Sequence, residues 1–144
     1  MIIPVKTVKA AMLDVLKKTF GDDYKYYGAE VKEGYKKPSF FTQITPVQLE
    51  PYTKNVAKSG YLFVITYFQT AVNEADMLDK VCQIREAFGN KVAIGNRQVN
   101  VTDYDFEFVG EHADILQVSI TIDFFEDVAK KQEGPLMREF RLKG

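Results

Sequence analysis

Apolar residues recur every three or four positions in two stretches of the chain, which predicts two amphipathic α-helices. The predicted stripe of the first, TVKAAMLDVLKKTFG from Thr7, consists of Val8, Ala11, Met12, Val15, Leu16 and Phe20. The stripe of the second, NEADMLDKVCQIREAFG from Asn73, consists of Leu78, Val81, Cys82, Arg85 and Phe88, widened by Met77 and Ile84. Thr7 and Asn73 are the expected N-caps, and Gly21 and Gly89 follow the last turns.

Alternating apolar and polar residues predict the strands, which include YKYYGAEV, SFFTQITPVQLEP, SGYLFVITYFQT, KVAIGNRQVNV and ILQVSITIDFFE. In SFFTQITPVQLEP, the two prolines predict a bend or a sheet edge beyond Thr45, because proline cannot donate to a ladder. A hairpin is expected at Gly95-Asn96. The apolar phase then shifts, which predicts a bulge near Thr102-Asp103.

The strand SGYLFVITYFQT is apolar on both faces. Tyr61, Phe63, Ile65 and Tyr67 form one alternating set, and Leu62, Val64, Thr66 and Phe68 form the other. A strand of this kind is expected to be covered on both sides, by helices on one side and by something else on the other.

The order of helix, strands, helix and strands predicts an α+β fold, with two helices packed on one face of a largely antiparallel or mixed β-sheet. The alternation stops near Glu126, where EDVAKKQEGPLMREFRLKG begins. We therefore expect a single domain over residues 1–125 and a C-terminal extension or arm over residues 126–144.

Composition narrows the function classes. The 144 residues include 19 Lys and Arg and 20 Asp and Glu, for a net charge of -1, which argues against a broad nucleic-acid-binding face. The single cysteine excludes an internal disulfide. We expect no signal peptide, because no basic segment precedes an apolar one at the N-terminus. No apolar run approaches the roughly 20 residues of a membrane span, so no membrane partner is expected.

Residue types that carry chemistry are sparse. His112 lies in the polar turn GEHAD without a second histidine or cysteine at ligand spacing, and Cys82 lies on a helix stripe without a nearby base. Asp103, Asp105 and Glu107 alternate along one strand, a pattern typical of a solvated face and less often of a cation site. The sequence therefore predicts no catalytic, metal or cofactor site.

Apolar residues exceed what so small a chain can bury, which indicates an interface. Phe40 and Phe41 point in opposite directions if they lie on one strand, and the C-terminal extension carries isolated apolar residues. The alternative is that loops and the start of the extension cover the second face. The predicted interface residues are Tyr35, Lys36, Phe40, Phe41, Tyr61, Phe63, Tyr67, Arg97, Leu136, Met137 and Phe140.

The chain resembles the phage tail terminator, or tail completion, family of Gram-positive phages, prophages and phage-tail-like particles. The resemblance lies in YGAEVKEGYKKPSFFTQITP, in YLFVITYFQ followed by ADMLDKVCQIREAFG, and in VAIGNRQVNVTDYDFEFVGEHADILQVSITIDFF. These stretches occur in the family's order over roughly residues 1–125, and the part after Glu126 is the least covered.

This resemblance implies a structural protein of the virion tail, with no enzymatic activity and no cofactor. Such proteins form a ring, commonly a hexamer, that ends polymerisation of the tail tube and presents a surface to the neck or head. In a contractile tail or a bacteriocin-like particle, the ring also meets the terminal sheath. The expected partners are further copies of the chain, the tail tube protein, and sheath and neck or head connector proteins. DNA is expected only as passing cargo.

In such a ring, Asp103, Asp105 and Glu107 are expected to face the lumen, where negative charge keeps DNA from adhering. Two other functions stay open on the sequence. One is a head-completion or neck adaptor protein, which has similar geometry and caps a different surface. The other is a small ligand-binding or enzymatic α+β domain that uses the His112 loop.

Overall fold

The computed structural model of the chain describes residues 3–28 and 34–127. These residues form two α-helices, a short 3₁₀ helix and six β-strands. In chain order they are α1 (Val5–Phe20), the 3₁₀ helix (Gly21–Asp23), β1 (Lys25–Tyr27), β2 (Ser39–Pro51), β3 (Val56–Phe68), α2 (Glu74–Phe88), β4 (Lys91–Ile94), β5 (Arg97–Val109) and β6 (Ile115–Asp127).

The six strands form one mixed sheet in the order β1-β2-β3-β6-β5-β4. β1 pairs with β2 in parallel, and every other neighbouring pair is antiparallel. The predicted α+β fold, with two helices on one face of a largely antiparallel sheet, is confirmed. β6 ends two residues beyond the predicted domain boundary, and Glu126 on it is buried.

Both helices end at the predicted glycines, but only one of the two predicted N-caps is correct. Asn73 caps α2, because its side-chain oxygen accepts a hydrogen bond from the Asp76 N–H at 3.2 Å. Thr7 is the wrong cap for α1, which begins at Val5 because extended Pro4 accepts the first helical hydrogen bonds. Gly21 and Gly89 end the helices at φ 74° and 58°, a left-handed backbone that favours glycine.

The core stripe of α1 is confirmed, but the predicted stripe of α2 is displaced. Val8, Met12 and Leu16 are buried on α1. The buried residues of α2 are Met77, Lys80, Ile84 and Phe88, whereas Leu78 is 51% exposed and Cys82 is exposed. The stripe shifts because Lys80 lies inside it, paired with Asp76 at 2.8 Å and close to three aromatic rings.

Both helices pack on one side of the sheet, here called the helix face, and the other side is called the open face. Alternate residues of the strands are buried under the helices, most regularly on β3 and β6. The largest of these are Phe40, Phe63, Ile65, Ile94, Leu116, Ile120 and Ile122. On β3, Tyr61, Phe63, Ile65 and Tyr67 belong to the helix face and Leu62, Val64, Thr66 and Phe68 to the open face, where they are only half-buried. The predicted cover of one face of β3 by helices is confirmed, and the cover predicted for its other face stays a prediction.

Candidate functional site

The residue types that could carry chemistry lie apart from one another. His112 is exposed in the turn between β5 and β6, and Cys82 is exposed on α2. Within residues 3–28 and 34–127, no group of three or more His, Cys, Asp or Glu side chains is arranged to hold a metal ion. The described surface also carries exposed aromatic, acidic and apolar regions that are suited to contacts with other molecules.

One such region is a group of aromatic rings on the open face, formed by Tyr27, Tyr35, Phe41 and Phe68. The ring of Phe41 lies 5.0 Å from that of Tyr35 and 5.1 Å from those of Tyr27 and Phe68. The Lys36 N–H donates to the Tyr27 hydroxyl at 3.0 Å, which holds the segment before β2 against β1. Two predicted interface residues, Tyr35 and Phe41, thus come together, and neighbouring Lys36 is exposed.

Four of the predicted interface residues lie in the core. Phe40 and Phe63 are fully buried, and Tyr61 and Tyr67 are 3% exposed. Their side chains point under the helices and cannot reach another subunit, so the interface prediction is wrong for all four. The error arises because a strand that is apolar on both faces does not indicate which face receives the helices.

Arg97 is half-buried at the start of β5 and makes contacts within the chain. Its guanidinium donates to the Phe125 carbonyl and lies 5.4 Å from the centre of the Phe124 ring. Its role in an interface stays a prediction. Leu136, Met137 and Phe140 lie outside the described residues.

The acidic residues of β5 form a row on the open face. Asp103, Asp105 and Glu107 are exposed and alternate with Tyr104 and Phe106, which pack against the core. The pairing of β5 with β6 shifts register between Val101 and Asp103, which confirms the predicted bulge. Alternation places these three carboxylates on one face, and the bulge makes that face the open one.

The end of the sheet formed by β2, β3 and β6 carries exposed apolar side chains that are not among the predicted interface residues. Leu49 is 70% exposed, Val47 is 53% exposed, and Tyr52 and Phe125 stack edge to face at 5.0 Å. Leu49 has the phase of the helix face, since it pairs with buried Ser59, yet the helices do not cover it. An open groove of about 370 Å³ lies beside it. The sequence does contain a signal for this apolar surface, because Val47 and Leu49 follow Pro46, where β2 is expected to bend or lie at an edge.

The lateral edges of the sheet are the other open feature. Among the described residues, β1 pairs only with Ser39–Phe41 of β2, and β4 pairs only with Arg97–Asn100 of β5. In the described parts of the chain, no strand pairs with the outer edge of β2 beyond Phe41 or of β5 beyond Asn100. The edge predicted for β2 beyond Thr45 is confirmed, together with a register shift between Pro46 and Gln48.

A family model described as phage tail terminator protein matches residues 7–135 of the chain. The chain belongs to the phage tail terminator family. It is therefore a structural component of a virion tail, and the exposed apolar side chains of this tail terminator lie on a protein that works in contact with other tail proteins.

The fold of this tail terminator also occurs in a solved chain from the virion of a native gene transfer agent particle. The two chains share 16% sequence identity at a TM-score of 0.52, over 81% of this chain and 91% of that one. A second solved structure matches at a TM-score of 0.49 with 10% identity, over 87% of this chain and 96% of that chain. No curated protein matches the sequence. Neither α-helix of the described residues is long and apolar enough to span a membrane.

Proposed function

We propose that the protein assembles into a homo-oligomeric ring, a hexamer in the family's usual form, on the end of the tail tube. The ring ends tube polymerisation and forms the surface that meets the neck or head connector, or the terminal sheath in a contractile tail. Membership of the tail terminator family is the observation that carries this proposal.

The surface of the subunit supports a ring physically. A closed ring needs two different patches on each subunit, so that one patch of each copy meets the other patch of the next. The described chain has two unlike sheet edges, at β2 and at β5, and an exposed apolar end that includes Leu49. Such patches are uncommon on a protein that works alone.

The open face supports a lumen that DNA passes. The helix face is occupied by α1 and α2, so the open face is the side of the sheet left to line a channel. Asp103, Asp105 and Glu107 on this face would present a ring of negative charge to the DNA backbone, which lowers its affinity for the wall.

Adding the purified protein to polymerising tail tube protein should shorten the tubes and place a ring at one tube end, as measured by negative-stain electron microscopy. A Leu49→Asp variant should lose this effect, because a desolvated carboxylate in an apolar contact is strongly unfavourable. Val72→Asp is the matched control, since Val72 is 67% exposed and lies away from the sheet end, in the segment before α2.

Unchanged tube lengths and bare tube ends with the wild-type protein would overturn the proposed function. Capping by Leu49→Asp as good as that by Val72→Asp would remove the exposed sheet end from the interface. Both variants change an exposed residue, so thermal unfolding should be close to that of the wild type.

A second prediction locates the open face in the ring. In a Cys82→Ser background, a maleimide-linked gold cluster on Asp105→Cys should appear at the centre of the ring in averaged end-on views. The same label on Asp79→Cys, an exposed position of α2, should appear at the periphery. Gold at the periphery for Asp105→Cys would contradict a lumen lined by the open face.

A further inference from the structure

The two lateral edges of the sheet are stepped at opposite ends. β1 lies beside the first residues of β2, and β4 lies beside the first residues of β5. Because β2 and β5 run in opposite directions within the sheet, these short strands occupy opposite ends of its two sides.

The rows of paired residues across the sheet make this step explicit. At one end, a row runs through Lys91, Asn100, Asp123, Gly60 and Gln48, from β4 to β2. At the other end, a row runs through Tyr27, Phe41, Thr66, Gln117 and Glu107, from β1 to β5. Each row crosses five strands, so the sheet is equally wide at both ends. The step in one lateral edge is therefore complementary in shape to the step in the other.

Strand direction allows the steps of neighbouring copies to fit together. β1, β2, β4 and β6 run one way, and β3 and β5 run the other way. With the sheets side by side in the same orientation, β4 of one copy would meet β2 of the next in parallel, and β5 would meet β1 of the next copy antiparallel. Both pairings are ordinary sheet geometry.

We propose that copies of this chain join edge to edge, with β4 filling the step beside β2 of the next copy and β1 of that copy filling the step beside β5. This inference rests on the proposed ring, because rotation without axial rise keeps each row of one copy level with the same row of the next. The short strands would then complete a sheet that continues from subunit to subunit.

Side chains at the steps are complementary for this pairing. Tyr26 and Phe108 end the same row on the helix face, and Phe108 is 42% exposed in the single chain.

The charges agree with the same arrangement. On the open face, Lys91 is exposed on β4 and would lie near Glu50 of the next copy, two residues along β2 from Gln48. Lys25 of β1 is exposed and would lie near Glu107 of β5 of the neighbouring copy.

The two irregular pairings, around Val47 and Thr102, lie in the middle of the sheet, between the level of β1 and the level of β4. There the row from Asp103 to Thr45 crosses only four strands.

A disulfide between copies tests the pairing. In a Cys82→Ser background, Gln48→Cys with Lys91→Cys places one thiol at each end of the same row, both on the open face. Within one chain these positions are four strand spacings apart, about 19 Å at ordinary strand spacing, so they cannot join internally. Mild oxidation of assembled rings should therefore give a ladder of covalent multimers on non-reducing gels.

The matched control pairs Gln48→Cys with Asp79→Cys on α2, which should give no ladder, and neither should either cysteine alone. Ring formation is measured separately by light scattering and electron microscopy. A ladder from the edge pair alone would support the inference. Rings without a ladder would overturn the edge pairing and leave the proposed function standing, whereas monomers in solution and on tubes would overturn both.

Discussion

Replacing Phe40 with alanine should lower the free energy of unfolding by about 3–5 kcal/mol, the usual cost of deleting a fully buried phenylalanine ring. Phe40 is 0% exposed and lies where α1, β1 and β3 meet. Four rings surround it, those of Phe20 at 4.8 Å, Tyr67 at 5.0 Å, Tyr24 at 5.2 Å and Tyr26 at 5.9 Å. Chemical denaturation followed by circular dichroism measures the loss.

Phe41→Ala is the matched control, because it removes the same ring from the next residue on the opposite face. Phe41 is only half-buried, so its loss should cost about 1–2 kcal/mol. Its larger effect is expected in ring assembly, because Phe41 packs against Tyr27 of β1, the strand at the sheet edge that would meet the next copy. Equal destabilisation by the two variants would contradict the division of the sheet into a helix face and an open face.

Replacing Lys80 with alanine should cost about 3 kcal/mol, since removing one partner of a buried ion pair leaves the other without compensation. The Lys80 ammonium is 2.8 Å from the Asp76 carboxylate, and its side chain is 5% exposed. It also lies between 5.1 and 5.6 Å from the ring centres of Phe20, Tyr24 and Tyr67. The figure is at the lower end of the range because the Asp76 side chain is 32% exposed.

Lys18→Ala is the control for this prediction. Lys18 pairs with Asp14 at the same helical spacing and at 3.0 Å, but the side chains are 78% and 59% exposed. Solvent screens this pair, so its loss should change the free energy of unfolding by no more than about 0.5 kcal/mol. A Lys80→Ala variant as stable as Lys18→Ala would show that the burial of Lys80 contributes nothing.

The pH dependence of the Lys80→Ala effect follows from the pKa directions of the pair. Burial raises the pKa of Asp76, but hydrogen bonds from Lys80, Tyr67 and Gln69 outweigh it and hold the pKa below 3.8. The stabilisation is present above 3.8 and is lost as pH falls through the lowered pKa of the folded state.

For Lys80 the sign is the opposite. Burial lowers its pKa, but the bonds to Asp76 and Tyr24 outweigh burial and hold the pKa above 10.5. Its contribution is therefore complete below 10.5 and is lost as pH rises through the raised pKa. The difference in stability between wild type and Lys80→Ala should be constant near neutral pH and should shrink at both extremes.

Local periodicity predicted most of the elements because each depends on residues a few positions apart. The stripe of α1 and the alternation of β6 needed no knowledge of their partners. The stripe of α2 could not be located in this way, because Lys80 is buried only through Asp76 and rings contributed by other elements. Sequence alone predicts that a charged residue is exposed, and only its partners show that it belongs to the core.

The candidate surfaces depend on how far the helices extend over the sheet, which no local pattern records. Leu49 and Phe63 are both apolar residues in predicted strands. Leu49 nevertheless lies beyond the helices and is exposed, whereas Phe63 lies beneath them and is buried. The complementary steps at the edges likewise depend on the place of β6 between β3 and β5. Strand order arises from pairings between distant segments, and alternation alone leaves it open.

The position of β6 at the centre of the sheet has a consequence for how the subunit folds. β6 is the last strand of the described chain, and its partners on β3 lie 49 to 71 residues earlier, from Tyr67↔Leu116 to Val56↔Asp127. Pairings of such long sequence separation form slowly. Until β6 inserts, the β2–β3 and β4–β5 hairpins each carry an unpaired inner edge lined with core residues such as Phe63. The step that joins the two halves is therefore the one most exposed to misfolding during synthesis, and cool expression or a chaperone should raise the soluble yield.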